Sequence, residues 1–273
     1  MPTYQSPVDG TTLAYQDYGT GSPIVFVAGW SLNGDMWEYQ VQFFLEHGYR
    51  CILPDRRGHG RSDRPSGGYD ADTRADDLAA LLNLLDLRDT TIVAHSAGGG
   101  ETVRYLSRHG SERVARIALL APAIPFMLRT DDNPVGVPEA ALKESLRQLR
   151  TDRPQWFADR AQGYFATHLR PGTSQAMIDA ELQRCMSAAP YAALEVQRLT
   201  FTTDFRADVA ALTVPTLLLH GVPDQSIPIH IASRQAVKLA PHAVLREYED
   251  AGHGLYLTHQ AEVNGEILGF IKG

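Results

Sequence analysis

Thr91-Ile92-Val93-Ala94-His95-Ser96-Ala97-Gly98-Gly99-Gly100 sets a serine between small residues, where an apolar run gives way to glycines. In a small–x–Ser–x–Gly pattern the chain turns sharply from strand into helix. Small residues two before and two after the serine relieve the crowding of that turn. The hydroxyl of Ser96 would then stand above a sheet at a helix N-terminus, where the helix dipole favours developing negative charge. That suits nucleophilic attack on an acyl carbon. Ala94 replaces the glycine more usual at its position, a change that small neighbours tolerate. Alone the motif is weak, because serine and glycine turns are common; the strand–turn–helix setting strengthens it.

A serine hydroxyl needs a base. Among ten histidines, His253 in Asp250-Ala251-Gly252-His253-Gly254 stands out. A single histidine is most often a core or surface residue, but this one lies between glycines, after the last strand-like run and before the final helix. A base also needs an orienting carboxylate. Asp224, in His220-Gly221-Val222-Pro223-Asp224-Gln225, lies in a loop directly after a buried run. Asp204 and Asp250 are its rivals: Asp250 is too near His253 in sequence to approach the ring from a separate loop, and Asp204 falls at the end of an insertion. Two backbone N–H groups would bind an oxyanion, that of Ala97 after the serine and that of Trp30 after the first buried strand. The Trp30 ring would line the site or simply cover the core. His95, His59 and His220 read as packed or locally hydrogen-bonded residues. The Gly-rich loop Asp55–Ser62 lacks the ending of a phosphate-binding loop, and no cluster has metal-ligand spacing, so neither cofactor nor metal is expected.

The elements that must position these residues alternate. Pro23–Gly29, Tyr49–Pro54, Thr90–Ala94, Val114–Ala121 and Pro215–Gly221 are short apolar runs of the kind buried on both faces of a sheet, with an earlier antiparallel strand at Leu13–Tyr18 and a last strand near Val244–Tyr248. Helical periodicity marks Ala71–Leu87, Glu101–Arg108, a stretch near Ile229–Leu239 and one near Val263–Lys272. Such alternation predicts an α/β fold with a mostly parallel twisted sheet flanked by helices. Between about 124 and 204 it lapses into amphipathic helices at Pro138–Leu149, Pro154–Phe165, Ser174–Ser187 and Tyr191–Leu199. The division expected is a core of residues 1–123 and 205–273, with residues 124–204 a helical cap over the crevice at the strand ends.

Composition fits a packed chain: 273 residues, 44% hydrophobic and 21% charged, with a formal net charge of −7. The mild acidity disfavours nucleic acid and anionic membranes as partners. Arg56-Arg57 and the scattered arginines of 144–170 read as solvated faces. Cys51 and Cys185 read as small buried hydrophobes. The N-terminal residues show no signal-peptide pattern and no apolar stretch is long enough to span a bilayer, so the expected location is the cytoplasm.

Several of these segments together resemble one family. Asp55-Arg56-Arg57-Gly58-His59-Gly60-Arg61-Ser62, His95-Ser96-Ala97-Gly98-Gly99-Gly100-Glu101, Asp132-Asn133-Pro134, Thr203-Asp204-Phe205 and the closing Phe270-Ile271-Lys272-Gly273 are similar to the cofactor-free haloperoxidase/aryl esterase family of α/β hydrolases. The likeness covers nearly the whole chain and is weakest from about 140 to 200. It implies the α/β-hydrolase fold, a triad at Ser96, Asp224 and His253 in that chain order, and oxyanion donors at Trp30 and Ala97. It also implies no haem or metal, a small-molecule ester as substrate and, in many members, a homo-oligomer. Members hydrolyse carboxylic esters, relatives open lactones or lactams, and some make peracids that oxidise halides. Three positions depart from the pattern: Ala28 where histidine is usual, Ser31 where proline is common, and Ala97 where a larger residue, often methionine, follows the nucleophile. The Ser31 change tells against perhydrolysis, and Ala97 would enlarge the acyl pocket.

The expectation is therefore a serine esterase for small to medium apolar substrates, with Trp30, Phe126, Phe165 and Ile227 lining its pocket. Lactonase, lactamase, perhydrolase and carbon–carbon hydrolase activities use the same triad and stay open. So does a receptor that keeps a vestigial triad.

Overall fold

The apolar runs become the inner strands of one eight-stranded sheet in a computed structural model that describes all 273 residues. The strands are β1 (Thr3–Gln5), β2 (Thr12–Tyr18), β3 (Pro23–Val27), β4 (Arg50–Pro54), β5 (Thr90–His95), β6 (Val114–Leu120), β7 (Thr216–Gly221) and β8 (Val244–Tyr248). Their order across the sheet is β1-β2-β4-β3-β5-β6-β7-β8. The pairs β1–β2 and β2–β4 are antiparallel and all others parallel.

Successive strand residues point to opposite faces, and here each face has its own cover. Val25, Val27, Ile92, Ile117, Leu119 and Leu218 pack on one side. Ile24, Phe26, Val93, Ala118, Leu217 and Leu219 pack on the other. Both sets are buried, which is why these strands read as unbroken apolar runs. Fully burying one such side chain stabilises by about 1.5–3 kcal/mol. The helices are α1 (Glu38–Glu46), α2 (Ala71–Leu84), α3 (Ala97–His109), α4 (Glu139–Thr151), α5 (Arg153–Phe165), α6 (Gln175–Met186), α7 (Pro190–Thr202), α8 (Arg206–Ala210), α9 (Ser233–Leu239), α10 (Leu255–Thr258) and α11 (Gln260–Lys272). Residues of α2, α3, α8 and α9 belong to the first face's core and residues of α1 and α11 to the second's. No helix is long and apolar enough to cross a membrane.

The four helices α4–α7 lie between β6 and β7. Their starts follow local chemistry. Asp152 accepts from the Gln155 N–H at 3.1 Å with Pro154 in the first turn, Ser174 accepts from Met177 N–H at 3.2 Å, and α7 begins on Pro190.

Four elements of this fold, β1, α1, α8 and α10, have no counterpart among the segments expected from the sequence. These are a three-residue edge strand, a helix without a side-chain cap, and two helices of only five and four residues. Helix α3 starts at Ala97, directly after Ser96, where the strand–turn–helix pattern sets a helix N-terminus; only its continuation over Glu101–Arg108 shows helical periodicity, because glycines carry its first turn. Arg56 and Arg57 are not solvated: both are buried in ion pairs, with Glu101 and with Asp9 and Asp77. Neither neighbour in sequence reveals such partners, which lie up to 48 residues away.

Candidate active site

The chain passes from β3 to β4 on one side of β3 and returns to β5 on the other. The crevice beside such a reversal is where α/β sheets bind ligands. Trp30 follows β3 and Ser96 follows β5 there; Asp224 and His253 follow β7 and β8.

Ser96 has φ 53° and ψ −117°, outside the regions an L-residue favours. Backbone bonds fix it there. Its N–H donates to Leu120 O at 3.0 Å, and its carbonyl accepts from Gly99 N–H at 2.9 Å and Ala123 N–H at 3.0 Å. A strained residue persists only when its surroundings over-determine it. The close packing beneath explains Gly98, where a Cβ would stand 2.8 Å from the carbonyl oxygens of both Ala28 and Val27.

His253 Nδ1 lies 2.7 Å from Asp224 Oδ2. A carboxylate oxygen only accepts, so Nδ1 carries the hydrogen and the neutral ring's lone pair is on Nε2. Asp224 Oδ1 accepts from the Ser226 and Ile227 N–H groups at 2.8 and 2.9 Å. Burial by itself would raise the Asp224 carboxyl. The charge of His253 and hydrogen bonds from His220 and His253 outweigh that and hold it well below the usual carboxylate range. His220 donates from Nε2 to Ile227 O at 2.8 Å, and the same nitrogen is 3.2 Å from Asp224 Oδ2. Its Nδ1 meets Ser233 Oγ at 2.7 Å. The sequence pointed to a packed, hydrogen-bonded histidine here but not to its contact with the carboxylate. Its spacing of four residues, spanning a strand end, is the only hint. Asp204 is engaged by Arg206, and Asp250 by His259.

Ser96 and His253 line one cavity of about 570 Å³ with Trp30, Phe165 and Ile227. Phe126, expected in that lining, is not there. It lies beneath the Arg206 guanidinium, 5.2 Å from its ring centre, and its carbonyl accepts from Asn133 Nδ2 at 3.0 Å. The Trp30 ring stacks on Phe157 at 5.6 Å and meets Trp156 edge-on at 5.3 Å. Its Nε1 donates to Ala193 O at 2.7 Å. The N–H groups of Trp30 and Ala97 donate to no protein acceptor. His95 donates from Nε2 to the carbonyl of His253 at 3.0 Å, while its buried Nδ1 has no partner. Burial first, then the nearby His253, keeps His95 neutral well below the ordinary histidine range.

One wall carries polar groups that the sequence left unremarked. Buried Glu181 accepts from Tyr256 Oη and, at 2.8 Å, from Arg184 Nη1, while Tyr164 Oη stands 3.2 Å from Tyr256 Oη. Cys185 lines the same wall, and burial pushes its thiol up to about 12. No group of three or more His, Cys, Asp or Glu side chains is placed to hold a metal ion. A hydroxyl and an imidazole at one cavity, with a carboxylate bonded to the far side of the imidazole and a free N–H on the residue after the serine, are the parts needed for proton transfer coupled to attack on a carbonyl.

A family model described as the alpha/beta hydrolase fold matches residues 22–260. A non-heme chloroperoxidase of Streptomyces lividans is 41% identical over 97% of both chains. Among solved structures, a bromoperoxidase from Bacillus anthracis superposes with a TM-score of 0.94 at 32% identity, covering 100% of this chain and 99% of its own. An esterase from Exiguobacterium antarcticum does so with a TM-score of 0.94 at 29% identity, covering 100% of both chains. The chain belongs to the α/β-hydrolase superfamily, within the relationship that joins non-heme haloperoxidases and esterases.

Proposed function

We propose that this chain is a serine esterase acting on carboxylic esters of small to medium apolar substrates. The observation that carries the proposal is the 2.7 Å bond from His253 Nδ1 to Asp224 at the cavity that Ser96 also lines. It leaves the Nε2 lone pair free to accept the Ser96 proton as Oγ attacks the ester carbonyl. The N–H groups of Trp30 and Ala97 then stabilise the oxyanion. Protonated His253 gives its proton to the leaving alcohol, and the acyl-enzyme is hydrolysed by a water that His253 activates. The aromatic wall of Trp30, Trp156 and Phe157 suits an apolar, neutral group.

One residue favours hydrolysis over perhydrolysis. Ser31 has φ 61°. A proline, held near −65° by its ring, does not reach that conformation. The backbone beside the proposed oxyanion site therefore differs from one that carries proline there.

Turnover of p-nitrophenyl esters by the wild type and by Ser96→Ala tests the reading. The variant is expected to lose at least about 10³-fold in kcat, and a fluorophosphonate should label the wild type at Ser96. Equal rates, or no labelling, would overturn it. Lactones, amides and peracid formation assayed on the same sample define the range of acyl acceptors and donors.

A further inference from the structure

The peptide unit between Gly29 and Trp30 has two ends, and the structure occupies only one of them. Its N–H is free at the cavity, whereas its carbonyl accepts from Arg56 Nη1 at 3.1 Å. The next carbonyl back, Ala28 O, accepts from Arg56 Nη2 at 2.8 Å. The third arm of the guanidinium, Nε, donates to Glu101 Oε2 at 2.9 Å. Glu101 stands on α3, one turn beyond Ala97. Both side chains are buried, at 4% and 8% exposure, so water screens the group little.

We infer that Arg56 is a positioning residue that tunes the oxyanion site: its guanidinium polarises the Gly29–Trp30 peptide and, through Glu101, fixes the spacing of the Trp30 and Ala97 N–H groups. The inference rests on the esterase reading above and extends it. A cation at the carbonyl end of an amide draws electron density toward oxygen and makes the N–H at the other end a stronger donor, as hydrogen bonds in series strengthen one another. The planar fork matters as well as the charge. Three donors reach two carbonyls and one carboxylate at once, a pattern that the point charge of lysine cannot reproduce. Arg56 touches no reacting atom. Its effect is therefore expected where the oxyanion forms, in kcat, and not in ground-state binding.

A residue that merely held the fold together would act differently, and three readouts separate the cases. Arg56→Lys keeps the charge with poorer geometry; Arg56→Gln keeps two donors without charge. For p-nitrophenyl acetate, Arg56→Gln is expected to lose about 10²-fold in kcat, approaching the loss of one oxyanion donor, with KM within about threefold. Arg56→Lys should recover part of that loss. In the acyl-enzyme, the carbonyl stretching band seen by isotope-edited infrared difference should move to higher frequency in Arg56→Gln and by less in Arg56→Lys. Circular dichroism identifies which variants fold, and either folded variant alone decides the question. If neither folds, methylguanidine added to Arg56→Ala supplies the third test, with recovery of kcat expected.

A kcat within about twofold of wild type in a folded variant, a loss confined to KM, an unshifted acyl band or no recovery with methylguanidine would overturn the inference. The two levels fail differently. If the wild type forms no acyl-enzyme at Ser96, the esterase reading falls and takes this inference with it. If the wild type acylates and the Arg56 variants match it, only the role of Arg56 falls.

Discussion

Asp224 is held on both carboxylate oxygens: two backbone N–H groups on one, His253 and His220 around the other. Asparagine would keep much of that packing but present an amide to His253 Nδ1, favouring the tautomer with its hydrogen on Nε2, where the lone pair is needed. Asp224→Asn is expected to fold normally and lose about 10³–10⁴-fold in kcat in p-nitrophenyl ester assays. Full activity in the variant would remove the carboxylate from the mechanism. The buried histidines carry a pH dependence of stability. His59 donates from Nδ1 to Arg57 O at 2.9 Å and has no partner at Nε2. Burial first, and then the charge of Arg56, pulls its pKa from 6.5 down to about 3. Neutral in the fold, it stays unprotonated while the unfolded chain takes up a proton below about 6.5. Stability therefore falls on acidification through that window, by up to about 1.4 kcal/mol per pH unit for one such group. Urea midpoints between pH 7 and 5 should fall less steeply in His59→Gln than in wild type; identical slopes would contradict the assignment. Asp224, with its lowered pKa, adds its own loss only at lower pH, below the unfolded carboxylate range. Residue types gave Ser96, Asp224 and His253 as a set because each follows a recognisable strand. They could not give the burial of Arg56, Arg57 or Glu101, since a charged residue in a sequence looks the same whether water or a distant partner solvates it.

At the scale of elements, legibility follows burial. The strands β3 to β7 are buried on both faces and stand out as apolar runs; β8 is an edge strand, mostly exposed or half-exposed, and reads more weakly. The start of helix α3 is legible from the turn at Ser96 and not from helical periodicity, because its first turn contains Gly98, Gly99 and Gly100, poor helix formers placed there by packing. Gly98 and Gly265 make the contrast measurable. Both lie in helices, α3 and α11, but a Cβ at Gly98 meets two carbonyl oxygens at 2.8 Å and one at Gly265 meets nothing within 4 Å. Gly98→Ala is expected to destabilise by about 1–3 kcal/mol and to lower kcat by displacing Ser96 and the Ala97 N–H. Gly265→Ala should stabilise by about 0.5–1 kcal/mol through helix propensity and leave activity alone. Urea denaturation and ester turnover of the two variants check both signs. A harmless Gly98→Ala would mean that the turn is looser than its contacts imply.

For the molecule as a whole, the issue is whether α4–α7 move as a lid. The break in alternation marks a helical insertion at 124–204, and its helices share the apolar packing of the core. Trp156, Phe157, Phe165 and Ile178 belong to the same apolar cluster as Phe26, Leu219 and Val263. Polar links cross at several points: Trp30 Nε1 to Ala193 O at 2.7 Å, Ala189 N–H to Gly58 O at 2.8 Å, and Gly254 N–H to Tyr164 O at 2.8 Å. The last link ties α5 to the residue after His253, so loosening these helices would disturb the base as well as the cavity wall. A segment that shares its core with the sheet has little to gain by opening alone, and unfolding should be one cooperative transition. The three tryptophans allow a direct measurement. In a Trp30→Phe, Trp37→Phe variant, Trp156 on α5 is the only indole, and its fluorescence reports the inserted helices while far-UV circular dichroism reports the whole chain. The two urea curves are expected to coincide in midpoint and slope. A Trp156 transition at lower urea would reveal an independently opening lid, and the apolar wall around Trp30 would then have to be assembled when substrate binds instead of standing ready for it.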